Sequence, residues 1–311
     1  MHRGSQTILW TAPRRREGRD VTVGAICLIV TAALLSGCGS VLNGHAVGRD
    51  SERSESVQPA DLSGKLTLTG SSTVAPLAAE IAKRFEAKHP EVRIDVQTGG
   101  SSRGITDALS EVADLGMASR ALKPNEEEQG LVGHRLAVDG VSLIVNSENS
   151  IGGLTKQQVV QLFTGEITDW SDLGGSDAEV VVVNKAEGRA TLEVFLQHFD
   201  LKNEQIQADV VVGDNQHGIK TVAGNPLAIG YVSIGAAQAE ADLGTSIRLV
   251  PVDGVEPTAE NVASGKFEVT RPLLIVSKGA PTGLAAAFLE YAKSPTVNDL
   301  IKAQGFETVA Q

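Results

Sequence analysis

The sequence predicts an α/β fold on a mixed, mostly parallel sheet. Short β-branched runs alternate with amphipathic helical stripes, and only a few residues join each pair. Three strand-to-helix turns also share one design, with small or hydroxyl residues at the start of the helix: 70–73 (GSST), 99–102 (GGSS) and 187–191 (EGRAT). The 311 residues, 41% apolar and 21% charged, suffice for two lobes with real cores.

Lys65–Thr69 alternates as a strand should and runs into Gly70-Ser71-Ser72-Thr73. A helix follows on Val74, Leu77, Ala78, Ile81, Ala82 and Phe85. Pro76 sits in its first turn, where a missing N–H costs nothing, and His89-Pro90 ends it. Val92, Ile94 and Val96 mark a strand that stops at Gly99-Gly100. Ser101 and Ser102 then open a helix with Ile105, Ala108, Leu109 and Val112 on one face, and 114–119 reads as the next strand. The β-rich run 136–146 is expected to cross between lobes. Thr155 caps a helix on Val159, Leu162 and Phe163, with Gly165 as its stop, and Trp170 and Leu173 fall in a loop. The apolar run 180–183 reads as a strand buried on both faces. It leads through 185–191 to a helix on Leu192, Phe195, Leu196 and Phe199. Strands at 210–212, 228–232 (read as the return crossover) and 272–276 precede two closing helices, 284–292 and about 296–304.

The first 37 residues read as a targeting segment. Arg14, Arg15, Arg16 and Arg19 precede an apolar run from Val21 to Leu35, too short for a comfortable membrane span. The run ends in Leu35-Ser36-Gly37-Cys38, which resembles the lipobox of bacterial lipoproteins, so Cys38 is expected to carry lipid. Residues 38–61 are polar, small and aperiodic, as a tether would be. Cys27 leaves with the leader, so the mature chain has no disulfide. Net charge is −11; the leader carries five Arg against two acids, and its loss leaves about −14. So acidic a body is a poor nucleic-acid binder, and any anion it binds must be held by local dipoles.

A helix N-terminus leaves backbone N–H groups unpaired and carries partial positive charge, and Ser and Thr hydroxyls add donors. Ligands of open α/β sheets bind beyond the carboxyl ends of strands, where such turns lie. Three in one chain, with Asp114 on a neighbouring strand, point to a convergent oxyanion site. GGSSRG is no dinucleotide fingerprint, lacking the acid some twenty residues on, and no P-loop, lacking Gly-Lys-Ser/Thr. His2, His45, His89, His134, His198 and His217 show no metal-ligand spacing, and no nucleophile elbow or recognisable triad occurs. No enzymatic activity, metal or cofactor is expected. The acidic patch Glu126–Glu128 reads as a solvated helix start.

GSST with V-x-P, TGGSSRG, ADLGMASR, AVDGVSLIVN, LTKQQVVQLFTGEITDW and PLAIGYVSI, in this order, resemble the periplasmic phosphate-binding proteins of phosphate ABC transporters, from Lys65 to the C-terminus. The resemblance implies a two-lobed type 2 periplasmic-binding-protein fold, with lobe 1 at 62–141 and 235–311, lobe 2 at 142–234, and two crossover strands. It implies inorganic phosphate as ligand, an ABC permease as partner, an extracytoplasmic location on the lipid anchor and a monomeric state. Family oxyanion donors fall on Ser72, Thr73, Ser101 and Ser102, and the acid that accepts a proton from phosphate falls on Asp114. The third turn departs from the family's Arg-x-x-Gly-Ser-Gly-Thr: Lys185, Arg189 and Ala190 stand for Arg, Ser and Gly, while Gly188 and Thr191 are kept. Lys keeps the charge but not the planar fork, and Arg189 offers a new one. Asp139, in VDG, is a second acid placed either to approach the ligand or to hold a turn. Asp214-Asn215-Gln216, before the expected return strand, reads as a plain turn, with lining of the cleft as the alternative. An acid in the site favours phosphate over sulfate, which has no proton to donate. A binding protein or sensor for another oxyanion, and a secreted phosphate-ester hydrolase, are the competing readings.

Overall fold

The structure is a computed structural model that describes residues 62–309. The expected leader, Cys38 and the tether through residue 61 lie outside the described residues. In chain order the elements are β1 (Gly64–Gly70), α1 (Ala75–Lys88), β2 (Val92–Thr98), α2 (Ser101–Leu109), β3 (Leu115–Ala118), α3 (Pro124–Glu128) and β4 (Leu131–Asn146). Next come α4 (Lys156–Phe163), β5 (Val181–Lys185), α5 (Ala190–Phe199), β6 (Val210–Val212), α6 (Asn215–Ala223), β7 (Ala228–Ser233), α7 (Ile234–Asp242) and β8 (Ile247–Val250). The chain closes with α8 (Ala259–Ala263), β9 (Thr270–Lys278), α9 (Gly283–Lys293), α10 (Asn298–Ala303) and β10 (Glu307–Thr308).

The sheet is mixed, in the order β2-β1-β3-β9-β4-β7-β5-β6, with β10 and β8 also on β4. Parallel pairs form two groups, β2-β1-β3 and β7-β5-β6; every pairing of β4 and β9 is antiparallel. Strand β4 serves both groups. Its first part pairs with β9 from Leu131 to Gly140, and its second with β7 and β8 from Val141 to Asn146. The apolar core divides at the same place. One cluster holds Leu66, Leu68, Leu77, Ile81, Phe85, Leu273, Ile275 and Phe288; another holds Val141, Leu143, Phe163, Trp170, Phe195, Tyr231, Val250 and Val269.

This topology corrects the expected return crossover. Strand β7 pairs only with β4's second part and β5, whereas Thr270 of β9 lies opposite Gly140. Residues 247–269 therefore join the second cluster, through β8, Val262 and Phe267, while Gly235, at the start of α7, lies against Gln304 and Phe306. Helix α2 also stops earlier than its stripe suggests. Ser110 caps it, Glu111 turns with φ 57°, and Val112 is 73% exposed instead of joining the apolar face. Glu126 is no solvated helix start either: it holds the Arg120 guanidinium with both oxygens at 2.8 Å. Trp170 lies fully buried in a 3-10 turn, its indole N–H donating to the Leu227 carbonyl at 3.0 Å.

Glycines set how closely α2 approaches the sheet. A Cβ on Gly104 would lie 2.6 Å from the Thr69 carbonyl oxygen and 2.7 Å from the Gly70 Cα, both backbone atoms that cannot swing aside. Substituting Gly104→Ala should therefore overpack this contact, at a cost of about 1–3 kcal/mol. A chemical-denaturation midpoint lowered at constant slope would show this; an unchanged midpoint would contradict it.

Candidate anion-binding site

Four helices point their N-termini at one small chamber of about 10 Å³, lined by Ser71–Thr73, Gly100, Ser101, Ser119, Lys185, Arg189–Thr191 and Gly213–Asn215. These residues follow β1, β2, β3, β5 and β6, so the chamber lies at the carboxyl ends of both parallel groups. Helices α1, α2, α5 and α6 bring partial positive charge to one point, although the Ser71 hydroxyl and carbonyl take the first N–H groups of α1. The sequence gives warning of three of these turns. The fourth, at 213–215, is not a plain turn: the Asp214 carboxylate accepts from the His217 N–H at 2.7 Å and caps α6.

Behind the chamber lies a buried ion pair. Arg271 Nε and Nη2 donate to Asp139 Oδ2 at 3.1 and 2.8 Å, with both side chains almost wholly out of water. Complete burial pushes the Asp139 carboxyl above its ordinary range, and Arg271 opposes that rise. The remaining guanidinium donors reach three hydroxyls: Thr73 Oγ1 at 3.1 Å, Thr191 Oγ1 at 2.9 Å and Ser119 Oγ at 3.4 Å. All five N–H groups of Arg271 are thereby committed. A hydroxyl that accepts from arginine keeps its own proton to give, so Thr73 and Thr191 can each donate to a group that only accepts. Ser119 Oγ also takes the Ser71 hydroxyl at 3.0 Å, and the Ser119 N–H donates to Ser101 Oγ at 3.1 Å, which ties the first two turns together.

Lys185 is buried at the end of β5, its Nζ donating to the Asp214 carbonyl at 2.6 Å. Burial drives its pKa down to about 7; Asp214 opposes the fall, while Arg271 and Arg189 add to it. The Arg189 guanidinium has no hydrogen-bond partner among the described residues. A Cβ on Gly213 would lie 3.3 Å from its Nη2, and one on Gly100 3.1 Å from its Cδ, so two glycines make room for it.

Of the residues expected at the site, Ser72, Thr73, Ser101, Lys185, Arg189, Ala190 and Thr191 line the chamber. Ser102 and Gly188 meet beside it, the Ser102 N–H donating to the Gly188 carbonyl at 3.3 Å. Asp139 is linked to it through Arg271. Asp114 is not brought in. It precedes β3, at the amino end of the sheet, where its exposed carboxylate accepts from the Thr67 N–H at 2.7 Å. Arg271, Ser71, Ser119 and Asn215 complete the site, and the sequence singles out none of the first three. Among the described residues no cluster of His, Cys, Asp or Glu is placed to hold a metal, and no helix is long and apolar enough to cross a membrane.

Residues 55–296 match the PBP-like family described as a PBP superfamily domain. The chain belongs to this superfamily. It is 28% identical over 288 residues to the phosphate-binding protein PstS of Bacillus subtilis, covering 90% of this chain and 92% of that protein. Among solved structures it resembles a protein from Clostridium perfringens, assigned as a phosphate ABC transporter substrate-binding protein and holding bound phosphate. Identity there is 33%, the match spans 79% of this chain and all of that one, and the TM-score is 0.74. An ABC-type phosphate transport receptor from Vibrio cholerae matches with 29% identity over 78% of this chain and all of that one, with a TM-score of 0.65. The Bacillus subtilis relative is named for phosphate binding, and the two solved structures are named for phosphate transport.

Three outcomes follow from the geometry. Asp114→Asn should leave anion affinity within about twofold by titration calorimetry, since less than a few tenths of a kcal/mol is at stake for so distant a group. Asp139→Asn should destabilise the fold by about 3–5 kcal/mol in urea, because it strands the Arg271 charge in the interior. Lys185 has a folded pKa depressed from 10.5 to about 7, so its burial penalty is full below pH 7 and is relieved as pH rises toward 10.5. The anion-free protein should therefore lose part of its gain in stability between pH 7 and 10 when Lys185→Met removes the titration; equal gains in both proteins would contradict this.

Proposed function

We propose that this chain is an extracytoplasmic solute-binding protein that captures inorganic phosphate in the chamber and delivers it to an ABC permease. The observation that carries this reading is the donor set: hydroxyls that accept from Arg271 and keep their protons to give, four helix N-termini, and the cations Lys185 and Arg189 around one point. An acceptor-rich anion is the complement of such a site. The phosphate-binding relatives favour phosphate among the oxyanions, and on this reading its contacts would be Ser72, Thr73, Ser101, Lys185, Arg189, Ala190 and Thr191, which line the chamber.

Asp139 acts on the site only through Arg271: it does not line the chamber, and its carboxylate lies against Ser233 and Gly235 at the start of α7. The two clusters would act as lobes, 62–140 with 270–309 and 141–269, closing on the ligand about β4 and β9. Lipid on Cys38 would anchor a monomeric body to the membrane through the tether.

Isothermal titration of the mature domain should show one phosphate bound and sulfate at least about a hundredfold weaker, a gap of about 2.7 kcal/mol. Sulfate binding with no phosphate binding would replace this reading with that of another oxyanion carrier. Turnover of a generic phosphate ester would replace it with a hydrolase.

A further inference from the structure

We infer that Asn215 is a positioning residue for the anion: from the far side of the chamber it turns the Thr73 hydroxyl proton toward the ligand. The inference rests on the anion-binding reading above and adds to it a residue that does not itself need to touch the ligand. Asn215 is the first residue of α6, which packs in the second half through Ile219 and Val222, and it is 5% exposed. Its amide Nδ2 donates to Thr73 Oγ1 at 3.1 Å, across to the turn that follows β1.

A threonine hydroxyl has two acceptor positions and one proton. Arg271 Nη2 fills one acceptor position of Thr73 from β9, and Asn215 fills the other from α6. The Thr73 proton has no protein acceptor among the described residues, and Thr73 lines the chamber. Only the hydrogen remains for a ligand. Without Asn215 the oxygen keeps a free lone pair, and the hydroxyl can rotate to present that lone pair to an anion, which is repulsive.

The contact also couples this orientation to the approach of the two halves, since its partners belong to different halves. Thr73 and Asn215 line both the chamber and an adjoining outer cavity of about 380 Å³, walled by Pro76, Val96 and Phe306. The pair thus stands at the partition between them. Separating the halves to admit an anion breaks the Asn215–Thr73 bond, and closing remakes it with the donor aimed inward.

A double-mutant cycle tests this. Wild type, Asn215→Ala, Thr73→Val and the double variant are titrated calorimetrically with inorganic phosphate and with sulfate. Each is melted without anion to establish folding. Thr73→Val keeps the branched shape, puts a methyl in place of the hydroxyl and leaves one Arg271 N–H without its acceptor, a cost shared by the single and the double variant and so cancelled in the cycle. The expected result is a loss of about tenfold for Asn215→Ala in the wild-type background and of less than twofold in the Thr73→Val background. Equal losses in both backgrounds would mean that Asn215 acts by packing or by direct contact, and no loss in the wild-type background would mean that it orients nothing; either overturns the proposal. Should Asn215→Ala fail to fold, Asn215→Ser replaces it in the cycle with the same expectation. A wild type that binds sulfate and not phosphate overturns the phosphate reading but leaves this cycle to be read on sulfate. A wild type that binds neither overturns both.

Discussion

The buried pair Asp139–Arg271 is the interaction on which the site depends. Taking two charges out of water costs several kcal/mol per ion, and an arginine repays this only when its donors are satisfied. Here the carboxylate takes two of them and three hydroxyls take the rest. Those hydroxyls belong to turns after β1 and β3 and to the first turn of α5, so one guanidinium holds loops from both halves in register. The cations nearer the chamber then need no partner from the protein. Arg189 has none among the described residues, and Lys185 reaches only a carbonyl.

Much of this was legible where the chemistry is local. The turns at 70–73, 99–102 and 187–191 announce themselves because Gly, Ser and Thr at helix starts have few other uses. The helices after the first and third turns follow the expected stripes, and Thr155 caps α4 as expected, with Gln158 returning the bond. What the chain could not reveal is pairing across sequence. Arg271 lies 132 residues from Asp139, and only the antiparallel register of β4 on β9 places them opposite one another. The same register makes β9 the returning strand, a role that Ala228–Val232 fits as well by composition.

Asp114 fails for a different reason. Strand periodicity reports which face a side chain occupies, and it is silent about which end of the sheet a ligand uses. An acid before Leu115 stands at the amino end, while the turns that hold anions follow the carboxyl ends. Helix α6 was hidden by Gly218, a residue that breaks a helical pattern in sequence. In the structure a Cβ there would lie 2.7 Å from Lys185 Nζ, so the glycine makes way for the buried ammonium.

Asp139 and Arg271 stand opposite each other on β4 and β9, one step from where Gly140 meets Thr270 and the two cores divide. The charge centre therefore sits near the pivot of the two-lobe reading, where displacement on opening is smallest. On that reading Arg271, held by Asp139, would keep its place as the halves part, and the contacts farther from the axis would be the last to form on an incoming anion. Arrival would be limited by diffusion into the mouth, and residence time by how often the more distant contacts let go.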